Sequence, residues 1–400
     1  MKTGQILFLS ILLLSRVAKA DSGLSPATLA IAHWIGDRQF QNPALPSYGA
    51  IANADGPTAI GADGQRYYSV SPYSANLAVI GLLQSRAPNG WTVAERWIDW
   101  YFGHLNSQSA PDGVPYNHFY RANGDGETTC VKPGDSSLCH YNDATDSAAA
   151  TFFLVLQAAY EAHASSSLFN TPERKKRVEK LATLVLNLQQ SDGLCWAKSD
   201  YHVKYVEDNS EVFAGLCALA NLERDVFHDA QRSAKYHNVS ERVRRGILTE
   251  LYDPKARLFC VAKFENGDHP APNLNTWYPD TQAQLWPVLF GVIAPNDSRA
   301  RGAAAMINNH WNGRVRPDWA RDPQHVNQGW AEAGHACAAL LMSDTNRVQR
   351  YLEAVKRYKF KSKSKKPQFT GPFSVDDAGW LLRILDSSLL ILCTQSKAAY

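Results

Sequence analysis

A chain of 400 residues, 45% of them hydrophobic and 20% charged, is long enough to bury a large core and too apolar to be disordered. Its formal net charge of +3 is too small to indicate a nucleic-acid partner. No Pro/Gly/Ser-rich linker divides the chain, so the sequence predicts one domain over residues 21–400, and we expect a monomer.

The first twenty residues have the pattern of a secretory signal peptide. Cationic Lys2 precedes an apolar run over residues 6–14, and Ala18-Lys19-Ala20 has the small-x-small form of a cleavage site. The apolar run is too short for a membrane span, and no later stretch is long enough for one. We therefore expect residues 1–20 to be removed and the mature protein to be secreted or periplasmic.

The seven cysteines predict disulfides rather than a metal site. Cys130 and Cys139 lie in one polar loop, which favours a local disulfide, and Cys195 and Cys260 could form a second one. Buried thiols are expected at the three cysteines within apolar helices, Cys217, Cys337 and Cys393. No ligand set has metal-site spacing, so neither a metal nor another cofactor is predicted.

Apolar residues recur at three- and four-residue steps through most of the chain and predict about a dozen helices. In chain order these are 26–40, 70–84, 92–105, 148–160, 172–190, 210–227, 239–252, 281–293, 298–311, 328–342, 345–358 and 374–393. Alternation over residues 194–206 and 257–264 adds short β-hairpins.

The helices alternate in character. One set opens with polar or aromatic residues and then becomes rich in Ala, Gly and Leu, whereas the other set is amphipathic, as over residues 172–188. The six polar openings are 73–76, 143–147, 208–211, 277–284, 327–332 and 375–377. A buried helix followed by an exposed one, six times over, predicts hairpins whose inner members form a ring.

Two of these openings contain clusters of acids, in which Asp146 follows Asp143 and Glu211 follows Asp208 at a spacing of three. Residues three apart share a helix face. Helix capping can explain part of each cluster, and it explains Asp143 as well as a substrate site does. Repulsion between neighbouring acids raises a pKa, as a general acid requires. We therefore predict Glu211 as one catalytic carboxylate and Asp146 as its partner or as a substrate-positioning group, with Asp208 as a further catalytic candidate.

The last inner helix opens with Asp376 and Asp377, which either cap that helix or supply a base from across the ring, and we include Asp377 among the catalytic candidates. Sugar rings stack on aromatic side chains, and many of the 11 Trp and 17 Tyr lie at helix openings or in long loops. Substrate binding is predicted at Tyr73, His118, Tyr120, Asp143, Trp196, Tyr205, Asn209, Trp277, Tyr278, Asp280, Gln282, Trp330 and Glu332.

The openings DATDSAAATFFLVLQAAYEA (143–162) and EDNSEVFAGLCALANLE (207–223), with SDGLCW (191–196) ahead of the second, resemble those of the six-hairpin toroid glycosidases. This superfamily includes many carbohydrate hydrolases and some polysaccharide lyases. The resemblance implies an all-α (α/α)6 toroid, with short β-hairpin insertions in its loops and a substrate groove where the inner helices begin. It also implies inverting hydrolysis of a glycosidic bond, which calls for two carboxyl groups.

The sequence thus predicts a secreted glycoside hydrolase whose partner is an oligo- or polysaccharide. One alternative is a polysaccharide lyase on the same toroid, with its base among His118, Tyr120, Tyr201 and His202 and the basic run 359–366 contacting an anionic polymer. Another is a non-catalytic glycan-binding or envelope-assembly protein. Nucleophile elbows, P-loops, Rossmann glycine triplets and His-Glu-x-x-His motifs are absent from the sequence.

Overall fold

Helices dominate the computed structural model, which describes residues 24–105, 113–164, 171–314, 316–326, 333–357 and 373–386. The predicted signal peptide, the opening 327–332 with Trp330 and Glu332, the basic run 359–366 and Cys393 lie outside the described residues.

The helices are α1 (Pro26–Gly36), α2 (Pro72–Gln84), α3 (Gly90–Gly103), α4 (Thr145–Ala162), α5 (Pro172–Leu188), α6 (Val206–Asp225), α7 (Ala230–Gly246), α8 (Trp286–Leu289), α9 (Ser298–His310), α10 (Ala333–Leu341), α11 (Thr345–Arg357) and α12 (Val375–Leu385). The strands are β1 (Ala59–Ile60), β2 (Arg66–Val70), β3 (His118–Tyr120), β4 (Val203–Tyr205), β5 (Tyr252–Asp253), β6 (Leu258–Phe259) and β7 (Ala262–Phe264). Two π-helical turns, Ile247–Leu251 and Trp277–Thr281, and two 3-10 turns, Ser136–Leu138 and Pro323–His325, complete the described elements.

The even-numbered helices form a closed inner ring. Helix α2 packs against α4, α4 against α6, α6 against α8, α8 against α10, α10 against α12, and α12 packs back against α2. Helices α3, α5, α7 and α11 each pack on the inner helix that precedes them, and α1 packs on α12. The predicted (α/α)6 toroid is confirmed.

Composition explains which helices are inside. Helix α4 buries all of its first twelve residues, because alanines and large apolar side chains occupy every face. Helix α5 is charged on one side and buries only Val178, Leu181, Ala182, Val185 and Leu188. An apolar stripe of this kind docks on the inner ring and leaves the polar face in water.

Small residues let the inner helices approach closely. A Cβ atom on Gly379 of α12 would lie 2.3 Å from the Leu77 carbonyl oxygen of α2, and one on Gly81 would lie 2.3 Å from the Gly379 oxygen. At Gly215 of α6, a Cβ atom would lie 2.5 Å from the Ala150 oxygen of α4. The neighbouring atoms are backbone and cannot move aside as a flexible side chain would, so these contacts require glycine.

One predicted helix differs from the structure. The helix expected over 281–293 is replaced by the π-helical turn Trp277–Thr281 and the four-residue helix α8. Pro287 lies in the first turn of α8, where proline is tolerated, and Gly291, with φ of 78°, follows its end. Both residues favour the boundaries of a short helix over the interior of a long one.

The short strands pair differently from the prediction. The segments expected to form separate hairpins supply β4 and β7, which pair antiparallel with each other, whereas β5 and β6 form a hairpin. A further antiparallel sheet, β1-β2-β3, was not predicted from the sequence. Its strands have at most five residues, too few for their alternation to be distinctive.

One predicted disulfide is correct and the other is wrong. Cys130 and Cys139 are bonded, as expected from their common loop. Cys195 and Cys260 are separate buried thiols. The backbone of Cys195 is held by the side-chain amide of Asn209, which accepts from its N–H at 2.7 Å and donates to its carbonyl at 3.1 Å, and its thiol faces the Val185 carbonyl. Cys337 is also a buried free thiol, and the Cys217 thiol contacts the Ser240 hydroxyl at 3.5 Å.

Among the described residues, every helix is too short or too polar to cross a membrane.

The Gly81/Gly379 contact predicts a stability difference. We expect Gly379→Ala to lower the free energy of unfolding by about 1–3 kcal/mol, because α2 and α12 must separate to admit the methyl group. Gly302→Ala in outer helix α9 is the matched control, since nothing lies within 4 Å of its Cβ position, and should gain up to about 1 kcal/mol from helix propensity. Urea denaturation measures both changes, and equal stabilities would contradict the close contact.

Candidate active site

A cavity of about 450 Å³ lies at the end of the ring where the inner helices begin. All six inner helices contribute residues from their first described turns or from the segments that lead into them. Five of the six predicted openings lie on its wall, and the sixth, 327–332, is outside the described residues. Its lining is Asn53, Tyr73, Ser74, Leu77, Asp143, Ser147, Glu207, Asp208, Glu211, Tyr278, Gln282, Trp286, Ala333, Gly334, Ser374, Asp376, Asp377 and Trp380.

Glu211 is the buried acid of this cavity, with 1% of its surface exposed. Its Oε1 accepts hydrogen bonds from the Tyr73 hydroxyl at 2.6 Å and from Trp286 Nε1 at 3.0 Å. Its Oε2 has no hydrogen-bond partner among the described residues. Burial raises the pKa of Glu211 to about 7, although the hydrogen bonds from Tyr73 and Trp286 and the nearby Ser147 hydroxyl oppose the rise. The group therefore changes protonation near neutral pH.

The two acids that open α12 have different surroundings. Asp377 accepts from the Ala333 N–H at 3.2 Å with Oδ1 and from the Ser374 hydroxyl at 3.2 Å with Oδ2, so it connects α12 to the start of α10. Oδ1 of Asp376 has no partner within the described part of the chain. Burial raises the pKa of Asp376, against hydrogen bonds from Ser374 and Ser74.

Asp208 lies on the cavity wall, three residues before Glu211, as predicted. Burial raises its pKa, the charges of Glu211 and Asp143 add to the rise, and Lys198 opposes it. Asp143 is exposed at the mouth and accepts from the Tyr141 hydroxyl at 2.7 Å. The cavity thus brings together carboxyl groups from three of its walls.

Asp146 differs from the prediction because it does not line the cavity. It is fully buried, its Oδ1 accepts from the Ser147 N–H at 2.8 Å, and its own N–H, like that of Thr145, points at the Ala197 carbonyl. The loop residue Ala197 thus covers this helix start, and the side chain is enclosed in the interior. Burial raises the pKa of Asp146, and the charges of Asp208 and Glu211 raise it further.

Three predicted substrate-binding residues lie on the cavity wall besides Asp143, namely Tyr73, Tyr278 and Gln282. Tyr278 is 54% exposed, which places it at the entrance. Tyr205 is close enough for its pKa to be raised by Asp208 and Asp143, after a larger effect of burial, and its hydroxyl lies 2.9 Å from that of Tyr201.

The other predicted binding residues that the structure describes do not line the cavity. Asn209 is buried and holds the Cys195 backbone, and Asp280 accepts from the Asn273 N–H at 3.2 Å. Trp196 stacks on His202, with ring centroids 3.7 Å apart, and Trp277 packs edge-on against Trp311. His118 and Tyr120 form a separate cluster with Trp100 and Glu127, described below.

Sequence reasoning did not select several lining residues. Trp286, one of the aromatic residues that the sequence marks near a helix opening, falls inside the predicted helix 281–293, whereas it begins α8 and donates to the catalytic candidate Glu211. Ser74, Ser147 and Asn53 are small polar residues whose patterns are typical of caps and turns. Glu207 immediately precedes the opening 208–211, and Trp380 lies three residues after the opening 375–377, and this proximity is the available signal.

The charge of the cavity is strongly one-sided. Its lining contains the carboxyl groups of Asp143, Glu207, Asp208, Glu211, Asp376 and Asp377, and neither Lys nor Arg is among its described lining residues. A larger, open depression of about 950 Å³ lies between α5 and α7, but its lining includes Lys235, Arg242 and Arg245 and a single carboxylate, Glu241. Of these two cavities, only the one at the end of the ring has acids on facing walls.

The similarity of this chain to known proteins lies in its structure. No protein-family model matches the chain, and no curated protein matches its sequence. A glycosidase variant with a Glu-to-Ala substitution is 16% identical, matches 92% of this chain and 99% of its own, and has a TM-score of 0.58. A metal-independent α-mannosidase from Streptococcus pneumoniae, in non-productive complex with α-1,6-mannobiose, is 9% identical over 97% of this chain and 99% of its own, with a TM-score of 0.56.

A GH76 α-mannanase from Bacteroides thetaiotaomicron is 12% identical over 93% of this chain and 97% of its own, with a TM-score of 0.52. Identities this low leave the activity of the chain open, whereas coverage of nearly the whole length identifies the architecture. The chain has the (α/α)6 toroid fold of the six-hairpin glycosidases.

Proposed function

We propose that this chain is a glycoside hydrolase that cleaves a neutral oligo- or polysaccharide, with Glu211 as general acid and Asp376 as general base. One observation carries the proposal: a glutamic acid with a pKa of about 7 lies on the wall of a sugar-sized cavity, opposite a second carboxyl group with an unpartnered oxygen. A volume of about 450 Å³ is within the range of small-molecule sites.

Hydrogen bonding determines where Glu211 holds its proton. Both Tyr73 and Trp286 donate to Oε1, so that oxygen is an acceptor in either protonation state. The proton of the neutral acid therefore resides on Oε2, which has no other described partner. From there it can pass to the glycosidic oxygen as the bond breaks, which is the role of a general acid in glycoside hydrolysis.

Asp376 is the base that fits best among the remaining acids. Asp208 is three residues from Glu211 on the same helix and so approaches the substrate from the same side. Both oxygens of Asp377 already accept hydrogen bonds, whereas Oδ1 of Asp376 is available to orient a water molecule. The raised pKa of Asp376 makes its carboxylate a stronger base.

The order of helices around the ring supports a mechanism that inverts the anomeric configuration of the sugar. Helices α6 and α12 occupy opposite positions in the six-membered ring, and Tyr73 of α2 lines the same cavity as their acids. Tyr73 donates to Glu211, and the charge of Asp376 contributes to the raised pKa of Tyr73, after burial and Glu211. Acids on opposite walls leave room for the attacking water, as inverting enzymes require.

The acidic lining favours uncharged sugars. Six carboxyl groups without a lysine or arginine in the described lining would repel a uronic acid polymer, so a uronate lyase is disfavoured. The four residues considered as lyase bases do not line the cavity: His118, Tyr120, Tyr201 and His202. Because the structural neighbours include an α-mannanase and an α-mannosidase, α-1,6-mannobiose and α-mannan are the first substrates to test.

We further propose that the enzyme acts outside the cytoplasm. The signal-like pattern of residues 1–20 supports export. The Cys130–Cys139 disulfide fits an oxidising compartment.

Replacing the general acid tests the proposal directly. We expect Glu211→Gln to lower kcat by a factor of about 100 to 10,000, because the amide cannot donate the acid proton. Glu223→Gln is the matched control. Glu223 is another fully buried glutamate of α6 with a pKa of about 7. It lies twelve residues, or about 18 Å, further along the helix than Glu211. Release of reducing sugar measures both, and full activity in Glu211→Gln would exclude the assignment.

Asp376→Asn and Asp377→Asn distinguish the two acids of α12. We expect Asp376→Asn to lose at least about 100-fold in kcat with little change in melting temperature, because it removes the base. Asp377→Asn should lower the melting temperature and affect kcat less, since it weakens the contact to α10. The reverse pattern would make Asp377 the base.

Proton NMR of the anomeric product from the wild-type enzyme tests whether hydrolysis inverts the anomeric configuration.

The raised pKa of Glu211 predicts the alkaline limb of the pH profile. A general acid must be protonated, so kcat/KM should fall as pH rises through about 7. Tyr73 donates to the ionised carboxylate and lowers its pKa, so Tyr73→Phe should move this limb upward by about one pH unit. If the alkaline limb of the kcat/KM profile stayed in place or moved to lower pH, a group other than Glu211 would control it.

A further inference from the structure

Two histidines and a glutamate converge outside the cavity. His104 directly follows α3, His118 is the first residue of β3, and Glu127 lies in the loop after β3. Oε1 of Glu127 lies 2.9 Å from His104 Nε2 and 3.1 Å from His118 Nδ1. All three atoms lie within 4.8 Å of one another.

The hydrogen bond on the far side of His104 determines which nitrogen carries its proton. Nδ1 of His104 lies 2.6 Å from the Trp100 carbonyl oxygen, which can only accept, so Nδ1 is the protonated nitrogen of the neutral ring. The lone pair of Nε2 then faces Glu127. Metal-binding histidines commonly donate their second N–H to a backbone carbonyl in this way.

Oε1 of Glu127 already has a donor from another direction. Trp100 Nε1 can only donate, and it lies 3.1 Å from the Tyr120 hydroxyl, which in turn donates to Oε1 at 2.7 Å. The carboxylate is thereby held in position. Neither histidine is needed to satisfy this oxygen.

His118 provides an independent observation. Only 6% of its surface is exposed, yet its Nε2 has no hydrogen-bond partner among the described residues, and its Nδ1 has only the 3.1 Å contact with Glu127, whose geometry is poor for a hydrogen bond. A buried polar group without a partner is costly and calls for an explanation. Nδ1 points into the space shared with Glu127 and His104.

From this convergence we propose that His104, His118 and Glu127 bind a divalent transition-metal ion, with Zn²⁺ as the ion that fits best. Hydrogen bonding alone would require a proton on Nδ1 of His118 and a second proton on His104 at Nε2, because the Nδ1–H of His104 already donates to the Trp100 carbonyl. One divalent ion satisfies three lone pairs with neutral rings. Two histidines, one carboxylate and open positions for water form a common zinc ligand set.

The present spacing suits such an ion with small movements. Ligand atoms at tetrahedral zinc lie about 3.4 Å apart, given bonds of about 2.1 Å, so the separations of 2.9 and 3.1 Å from Glu127 need to widen by only a few tenths of an ångström. The two histidine nitrogens lie within 4.8 Å of each other and would have to reach the same separation of about 3.4 Å. Glu127 is 28% exposed and His104 19% exposed at the side chain, which leaves a route for the ion and its water.

The structure indicates a stabilising role for this site. The ion would connect the end of α3 to β3, and Val70 of β2 pairs with His118. Strand β2 leads directly into α2, whose second residue is Tyr73. A metal at this position would therefore fix the sheet that supports one wall of the cavity, without contacting a substrate there.

Zinc titration of the full chain, expressed without a histidine tag and treated with a chelator, tests the site. We expect isothermal titration calorimetry to give one tight site and a thermal shift assay to show a higher melting temperature with zinc. His118→Ala should weaken zinc binding at least 100-fold. His104→Gln, at a more exposed position, should do the same and serves as a second variant if His118→Ala fails to fold.

His202→Ala is the matched control, because His202 pairs with Glu265 at 2.8 Å and lacks a second histidine. Its zinc affinity should equal that of the wild type. Cobalt substitution should give ligand-field absorption bands that zinc abolishes. The proposal is overturned if wild-type protein binds no zinc, if His104→Gln binds it equally well, or if His202→Ala removes the binding.

Discussion

Burial of carboxyl groups at the centre of the ring is the constraint on which the site depends. Six helix N-termini meet there, and their dipoles favour ionised acids, but removal from water favours neutral ones. At Glu211 burial prevails: a rise in pKa from 4.5 to about 7 corresponds to about 3 kcal/mol against the charged form. Since the folded state then holds its proton more tightly than the unfolded chain, Glu211 makes folding less favourable as pH rises from about 4.5 to 7.

The toroid provides the enclosure that this requires. Inner helices rich in alanine and glycine approach so closely that backbone contacts backbone at Gly379 and Leu77, which leaves little solvent between them. Tyr73 and Trp286 then supply hydrogen bonds from two other helices to one oxygen of Glu211. The ring therefore determines both the raised pKa and the direction in which the acid proton is presented.

The sequence was sufficient to predict the ring, because long apolar helices with polar openings are distinctive, and it correctly placed Glu211, Asp208 and Tyr73 on one cavity. It could not distinguish Asp146 from Asp376. Whether a first-turn acid faces the cavity or the interior depends on how the preceding loop covers it, and Ala197 covers the start of α4.

The histidine cluster was missed because its ligands come from separate elements at irregular intervals. The β1-β2-β3 sheet was missed because its strands are short.

The contact between α2 and α12 joins segments nearly three hundred residues apart in the chain, at Gly81 and Gly379. Bringing such distant segments together is entropically costly, and contacts of this kind form late in folding. The cavity spans this seam, with Tyr73 on one side and Asp376 on the other. A partly folded chain with five hairpins in place would have much of its core but an incomplete cavity. An intact cavity therefore reports that the least local contact of the fold has formed.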